Sequence, residues 1–272
     1  LGYSPIKELM PGEIVLITEK GLETKAEGNR KSKICAFLYI YTGFPASEFE
    51  GINVEEARYR CGAFLAKRDE ACNFKQGIVA GVPDSGLAHA IGYANASGMP
   101  LKRPLVKYTD GYGRSYIPTT QEERNIIAKM KLIVIPRIVE GAVIFLLEDS
   151  IVRGTQLRNF TIKKLQDMGV KEIHLRVACP PLMFPCKYNI STRTLEELIA
   201  RKAIKQLEGT SEPANIEDYL NPNSEKYKQM IELIRKKLNV TSLRFQTLED
   251  MIEAIGLPED RLCTYCWTGK ET

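Results

Sequence analysis

The feature that most constrains this chain is the stretch Val143 to Gln156, Val-Ile-Phe-Leu-Leu-Glu-Asp-Ser-Ile-Val-Arg-Gly-Thr-Gln. Its first half, Val143 to Leu147, is an unbroken apolar run, which reads as a strand buried on both faces. Two acids follow at once, Glu148 and Asp149. Then come Ser150, Ile151, Val152, Arg153, Gly154, Thr155 and Gln156, and a helical pattern from Leu157 to Met168. A buried strand, a small-residue turn and a helix start together make a phosphate cradle. The N–H groups of the turn point outward, and the helix dipole favours an anion there. Gly154 lets the backbone approach that anion closely. The acids stand at the carboxyl end of the strand, where open α/β sheets bind ligands. Carboxylates repel a bare phosphate, so they make sense if they hold hydroxyls or a hard cation. That chemistry is a sugar phosphate with Mg²⁺. The bland alternative is a solvated acidic loop.

The run Glu148-Asp-Ser-Ile-Val-Arg-Gly-Thr155 resembles the phosphoribosyl pyrophosphate (PRPP) motif of type I phosphoribosyltransferases. It is most similar to that of the glutamine amidophosphoribosyltransferase family, where the motif usually reads Asp-Asp-Ser-Ile-Val-Arg-Gly-Thr-Thr. Here the first acid is Glu148 and the last position is Gln156. The resemblance implies the type I phosphoribosyltransferase fold, a mostly parallel sheet flanked by helices, with a C-terminal helical segment carrying a Cys-x-x-Cys.

Bulk properties narrow the surroundings. The chain has 272 residues, enough for one large or two small domains with a proper core. No apolar run is long enough for a membrane helix, and the start has no signal-peptide pattern. The net charge of +4 is mild and unclustered, which argues for neither nucleic acid nor membrane. Seven cysteines, an odd count without a secretory signal, point to a reducing, cytoplasmic setting and to metal ligation or burial before disulfides. The first residue is Leu1, which fits a fragment or a processed product.

Along the chain, the apolar stretch Ile14-Val-Leu-Ile17 and the turn at Gly21 read as a hairpin. Cys35 to Tyr41 alternates well enough for a strand. Asn53 looks like an N-cap for a helix from Val54 to Lys67. Gly77 to Gly81 is a short strand entering Val82-Pro-Asp-Ser-Gly86, and a helix follows from Leu87 to Ser97. This second strand, turn and helix start resembles the family's pyrophosphate loop, and Ser85 matches the position whose hydroxyl helps hold Mg²⁺. His89 reads as a packing or surface histidine rather than a ligand. Pro104 to Ile117 has a glycine-rich centre flanked by Lys107 and Arg114, which suits a mobile lid, with an exposed β-hairpin as the alternative. Lys107, Tyr112 and Arg114 are recognisable from the family's lid, while Asp110-Gly111 stand near where the family has Arg. Gln121 to Leu132 reads as a basic helix, Val134 to Val139 as a strand and Glu172 to Ala178 as a further strand. Thr194 to Lys205 and Lys226 to Leu238 read as helices. Leu243 to Gln246 reads as a strand, and Thr247 as the cap of a helix from Leu248 to Ala254.

Cys263-Thr-Tyr-Cys266 presents two thiolates to one metal, and zinc, redox and iron–sulfur chemistry all use such a pair. Cys35, Cys186, Cys263 and Cys266 match the four cysteines that hold a [4Fe–4S] cluster in the iron–sulfur branch of the family. Zinc in a Cys₄ site is the alternative. Cys61, Cys72 and Cys179 are expected to be buried thiols.

The resemblance implies PRPP as substrate and formation of 5-phosphoribosylamine from PRPP and ammonia or glutamine in de novo purine synthesis. Ser150 to Gln156 would hold the 5′-phosphate. Glu148 and Asp149 would hold the ribose hydroxyls, directly or through Mg²⁺. Ser85 and its loop would hold the pyrophosphate, with Lys107 and Arg114 closing over it. Residues 1–34 are expected as a linker and hairpin, 35–207 as the phosphoribosyltransferase domain and 208–272 as a helical extension with cluster ligands. In that family a glutaminase domain precedes this region, so the resemblance is to the phosphoribosyltransferase half only. Ammonia would come from a separate glutaminase domain or subunit, or from solution. The chain is expected to form a homo-oligomer. A PRPP-binding regulatory or non-catalytic subunit is the alternative. A nucleobase phosphoribosyltransferase is argued against by the cysteine set.

Overall fold

The computed structural model describes residues 2, 4, 6–29, 33–69, 76–107, 132–188 and 192–270. The expected hairpin is present as antiparallel β1 (Ile14–Thr18) and β2 (Gly21–Ala26). β3 is only Ile34–Cys35, and the chain then coils into a π-helical turn, Leu38–Thr42. The strand expected over Cys35 to Tyr41 therefore ends at Cys35. Ala36, Phe37, Tyr39 and Ile40 are all buried, which suits a turn wedged into the core, whereas a strand with one wet face would bury alternate residues. β4 (Glu48–Phe49) and β5 (Ile52–Asn53) form a small antiparallel ladder. The Asn53 side chain accepts from the Glu56 N–H at 3.1 Å and starts α1 (Val54–Asp69), as its capping chemistry predicts.

β6 (Ile78–Gly81) feeds α2 (Gly86–Ser97), which stops at Gly98 in the left-handed conformation. β7 (Leu105–Lys107) pairs antiparallel with β8 (Leu132–Val134). The strand expected from Val134 to Val139 gives way to a helical turn, α3 (Pro136–Val139), because Pro136 fixes φ and removes a donor at a first helical position. Arg114, Tyr112, Asp110, Cys72 and nearly all of the helix expected from Gln121 to Leu132 lie outside the described residues. β9 (Val143–Glu148) is followed by a π-helical turn, Leu157–Ile162, that runs into α4 (Lys163–Asp167). β10 (Glu172–Val177), α5 (Ile199–Glu208), α6 (Glu217–Leu220), α7 (Glu225–Leu238), β11 (Ser242–Phe245), α8 (Leu248–Ile255), β12 (Leu262–Cys263) and α9 (Tyr265–Thr268) complete the described chain. Thr247 caps α8, accepting from the Asp250 N–H at 3.2 Å. Among the described residues no helix is long and apolar enough to cross a membrane.

The central sheet has the order β11-β10-β9-β6, and every neighbour pair is parallel. Gly81 stands beside Leu147, Glu148 beside Val177 and Val177 beside Phe245, so the carboxyl ends share one edge. Ile144, Phe145, Leu146 and Leu147 are all 0% exposed, the double-sided burial that the apolar run requires. On one face, Phe145 stacks with Tyr93 of α2 and with His174 at ring distances of 6.0 and 4.7 Å. On the same side Arg176, buried on β10, pairs with Asp69 at the end of α1, and Tyr93 donates to that carboxylate at 2.6 Å.

α1 and α2 cross with their backbones in contact. A Cβ at Gly62 would lie 1.9 Å from the His89 carbonyl oxygen, and one at Gly92 would lie 1.8 Å from that of Tyr59, so only glycine fits either place. At this crossing His89 is fully buried, with Nδ1 3.0 Å from the Arg58 carbonyl and Nε2 3.3 Å from that of Ile40. Burial pushes the imidazole down to about 4, against the pull of the Ile40 carbonyl. The folded protein therefore binds fewer protons than the unfolded chain between about pH 4 and the ordinary histidine value of ~6.5. This contribution to stability is complete above pH ~6.5 and is lost as pH falls toward about 4, with a total near ~3 kcal/mol. Chemical unfolding at stepped pH should show the wild type losing more stability across that window than His89→Gln. Parallel curves for the two proteins would contradict it.

Candidate functional site

β6 and β9 are neighbours, so the loop after one sits beside the acids after the other. The loop from Val82 to Ser85 rests directly on β9: the Val82 N–H donates to the Leu147 carbonyl at 2.9 Å. A Cβ on Gly86 would lie 2.5 Å from that same oxygen, and a Cβ on Gly81 would lie 2.5 Å from the Gly86 oxygen. The Pro83–Asp84 peptide is cis. Ser85 Oγ then donates to Asp149 Oδ2 at 2.5 Å, while Ser150 Oγ donates to Oδ1 at 2.6 Å. Lys107, at the end of β7, reaches the same loop and pairs with Asp84 at 2.6 Å. That pair is largely exposed and adds little stability, but it sets the lysine above the loop.

The acids are in a dry place. Asp149 is 3% exposed. Glu148 keeps some surface as a residue, yet its Oε2 is shut off from solvent and has no hydrogen-bond partner among the described residues. Burial first, and then the charge of Asp149, holds the Glu148 carboxyl well above the usual range. Asp149 is raised by burial too, opposed by donors from Ser150 and Ser85, by Glu148 and by the Arg58 charge. Two carboxylates this close and this buried do not both ionise without a counter-charge. Burial therefore disfavours the charged form of the pair, and of Glu148 above all. The arrangement can accept ligand hydroxyls or a hard cation.

The turn after Asp149 is anchored at both ends. Ile151 is buried, the Val152 carbonyl accepts from the Ile199 N–H at 2.8 Å, and the Gly154 carbonyl accepts from the Arg158 N–H at 2.9 Å. Gly154 has φ +72°, and a Cβ there would press on Ile199 Cδ1 at 2.6 Å. Arg153 is turned out to Glu197 at 2.7 Å, and Thr155 and Gln156 are exposed. Ser85, Glu148, Asp149, Ser150 and the turn to Gln156 thus converge on one edge, with Lys107 beside them.

The four cysteines also converge. β3 and β12 pair in parallel with Cys35 directly beside Cys263. The Cys266 carbonyl accepts from the Met183 and Phe184 N–H groups at 2.9 and 3.0 Å, which brings the Cys186 segment onto α9. Burial pushes the Cys266 thiol up to about 12, reinforced by Cys186, Cys35 and Cys263. Burial also raises Cys35, again with contributions from Cys263 and Cys186, while the Phe37 and Leu38 N–H groups oppose the rise. Among the described residues no group of three or more His, Cys, Asp or Glu side chains is set closely enough to hold a metal ion as it stands. Cys61 and Cys179 are fully buried, as expected.

Sequence reasoning missed Arg58. It is buried, donates to the Tyr39, Tyr41 and Gly43 carbonyls at 2.8 to 3.0 Å, and places its charge within reach of Asp149. The one signal available was a basic residue on the apolar face that Val54, Ala57 and Cys61 define. Glu197, which orients Arg153, gave no signal at all. A cavity of about 270 Å³ lies at the opposite, amino end of β10 and β11 among Lys171, Glu172, Asn239 and Thr241. It has no converging buried polar groups, so the carboxyl edge remains the candidate site.

No protein-family model matches the chain. It is 33% identical over 275 residues to the amidophosphoribosyltransferase of Bacillus subtilis, across 99% of this chain and 51% of the relative. It is 35% identical over 270 residues to that of Methanothermobacter thermautotrophicus, across 99% of this chain and 50% of the relative. This chain is a homologue of the amidophosphoribosyltransferases. It spans about half the length of the curated relatives it matches. Among solved structures it superposes on the B. subtilis glutamine PRPP amidotransferase complexed with ADP and GMP, with a TM-score of 0.74 and 33% identity over 97% of this chain and 52% of the other. A second match, described as the allosteric regulatory enzyme of purine biosynthesis, has a TM-score of 0.75 and 32% identity over 97% of this chain and 51% of the other. The type I phosphoribosyltransferase architecture expected from the sequence is therefore the one present, with its parallel sheet and flanking helices.

Proposed function

We propose that this chain carries the phosphoribosyl-transfer chemistry of an amidophosphoribosyltransferase: PRPP and ammonia give 5-phosphoribosylamine and pyrophosphate, a step of purine synthesis. The observation that carries the reading is the buried acid pair joined through Asp149 to Ser85 of the neighbouring loop. One ligand that brings a 5′-phosphate, ribose hydroxyls and a diphosphate meets every part of that edge. The turn from Ser150 to Gln156 binds the 5′-phosphate at a helix start. Glu148 and Asp149 bind the ribose hydroxyls. The Val82–Ser85 loop receives the diphosphate, and Lys107 and Arg114 neutralise its charge as it leaves. The C1–O bond to pyrophosphate breaks, the C1–N bond to ammonia forms on the opposite face, and ammonia gives up one proton to solvent. The work of the protein is positioning and charge neutralisation.

Two metal groups fit the residues present. The orphaned Glu148 oxygen and the Ser85–Asp149 pair suit Mg²⁺, which would neutralise diphosphate charge. Cys35, Cys186, Cys263 and Cys266 form an all-sulfur set that suits a [4Fe–4S] cluster or zinc as a structural tie between β3, β12 and α9. On this reading residues 1–34 link, 35–207 form the transferase unit and 208–272 carry the tie. Ammonia comes from a glutaminase domain or subunit, the chain works as a homo-oligomer, and its setting is the cytoplasm.

Steady-state assay with PRPP, ammonium and Mg²⁺ should release pyrophosphate. Asp149→Asn should lower kcat/KM for PRPP by roughly 100-fold or more while unfolding at the wild-type temperature. PRPP binding without release would favour the non-catalytic subunit instead, and neither binding nor release would overturn the reading. Elemental analysis of the purified protein should find iron and sulfide with a brown colour. A colourless protein with stoichiometric zinc would assign the cysteines to zinc.

A further inference from the structure

The π-helical turn Leu38–Thr42 ends abruptly, since Gly43 after it is extended, at φ −66° and ψ 142°. A helical turn that stops leaves carbonyl oxygens without intrahelical donors. Two buried side chains face them. The Arg58 guanidinium donates to Tyr39 at 3.0 Å and to Tyr41 and Gly43 at 2.8 Å each. His89 Nε2 faces the Ile40 carbonyl, at 3.3 Å. These side chains come from different helices. Arg58 belongs to α1, but His89 belongs to α2, one turn after Ser85. His89 also contacts α1 through the Arg58 carbonyl at 3.0 Å, at the crossing where Gly62 lets the two backbones touch. One imidazole therefore fixes the start of α2 against both α1 and the turn that follows Cys35.

We propose that His89 is a positioning residue for the pyrophosphate loop: wedged between the Ile40 and Arg58 carbonyls, with its single N–H donated to one of them, it sets where α2 begins and hence where Ser85 stands. The proposal rests on the functional reading above, because it takes the Val82–Ser85 loop as the diphosphate site. It assigns His89 no contact with substrate. The 5′-phosphate turn is independent of it, being carried by β9 and anchored on Val152 and Gly154. Loss of His89 should therefore weaken one half of the ligand and spare the other, which a general loss of folding would not do.

The test is isothermal titration of the full chain with Mg²⁺-pyrophosphate and, separately, with ribose 5-phosphate. The proteins are wild type, His89→Leu and His89→Gln, each with its thermal midpoint measured. His89→Leu should bind pyrophosphate about tenfold more weakly and ribose 5-phosphate within about twofold of wild type. His89→Gln keeps one donor and should recover most of the pyrophosphate affinity. If the leucine variant does not fold, His89→Gln carries the test alone, with pyrophosphate weakened about threefold and ribose 5-phosphate unchanged. Equal weakening of both ligands, or no change in either, would overturn the positioning role. A wild-type chain that binds neither ligand would instead overturn the functional reading, and the proposal with it.

Discussion

The site depends on one constraint: two carboxyl groups held in a place too dry for both to be charged. Glu148 and Asp149 are there because β9 is buried on both faces and ends at the carboxyl edge of a parallel sheet. Their energetic cost is tolerable only while a proton, donor hydroxyls or a cation offsets it. Ser85 and Ser150 meet part of that need and leave a Glu148 oxygen with no hydrogen-bond partner among the described residues. A site that is incompletely satisfied in this way favours a ligand that completes it, and on the proposed reading the same unfavourable burial that taxes the fold supplies affinity for a hydroxylated, cation-bearing anion.

Everything around the pair serves to keep its neighbours in place. Gly81 and Gly86 let the loop lie on the β9 backbone, and the α1–α2 crossing at Gly62 and Gly92 fixes the helix that the loop enters. These are contacts of backbone on backbone, which tolerate no added methyl group and little movement. The phosphate turn is tied separately, through Ile199 and Glu197. The two halves of the site thus have separate supports that meet along β9 and at Asp149. The cysteine set forms a third centre, where β3, β12 and α9 come together next to the turn that Arg58 and His89 cap.

How much of this was legible follows from the range of each interaction. The β9 strand, its acids and the following turn are contiguous, so periodicity and turn chemistry expose them. The caps Asn53 and Thr247 are local and were read for the same reason. The failures are non-local. Cys35 to Tyr41 looks like a strand by alternation, yet its fate is set by carbonyl partners on α1 and α2 that no window of sequence contains. Val134 to Val139 failed locally, where Pro136 should have outweighed the apolar run. Ser85 was found only through a resemblance, because its partner Asp149 lies 64 residues away. Arg58, Asp69 and Glu197 gave no motif, since their roles are to satisfy partners that the tertiary fold brings near.

The most direct measurement is a crystal structure of this chain with PRPP, using Mn²⁺ in place of Mg²⁺ so that anomalous scattering locates the cation. The account predicts the 5′-phosphate against the Ser150–Gln156 turn, the ribose hydroxyls and the Mn²⁺ peak at Glu148, Asp149 and Ser85, and the diphosphate over the Val82–Ser85 loop. Ligand density at the amino ends of β10 and β11, or a metal peak remote from both acids, would contradict it.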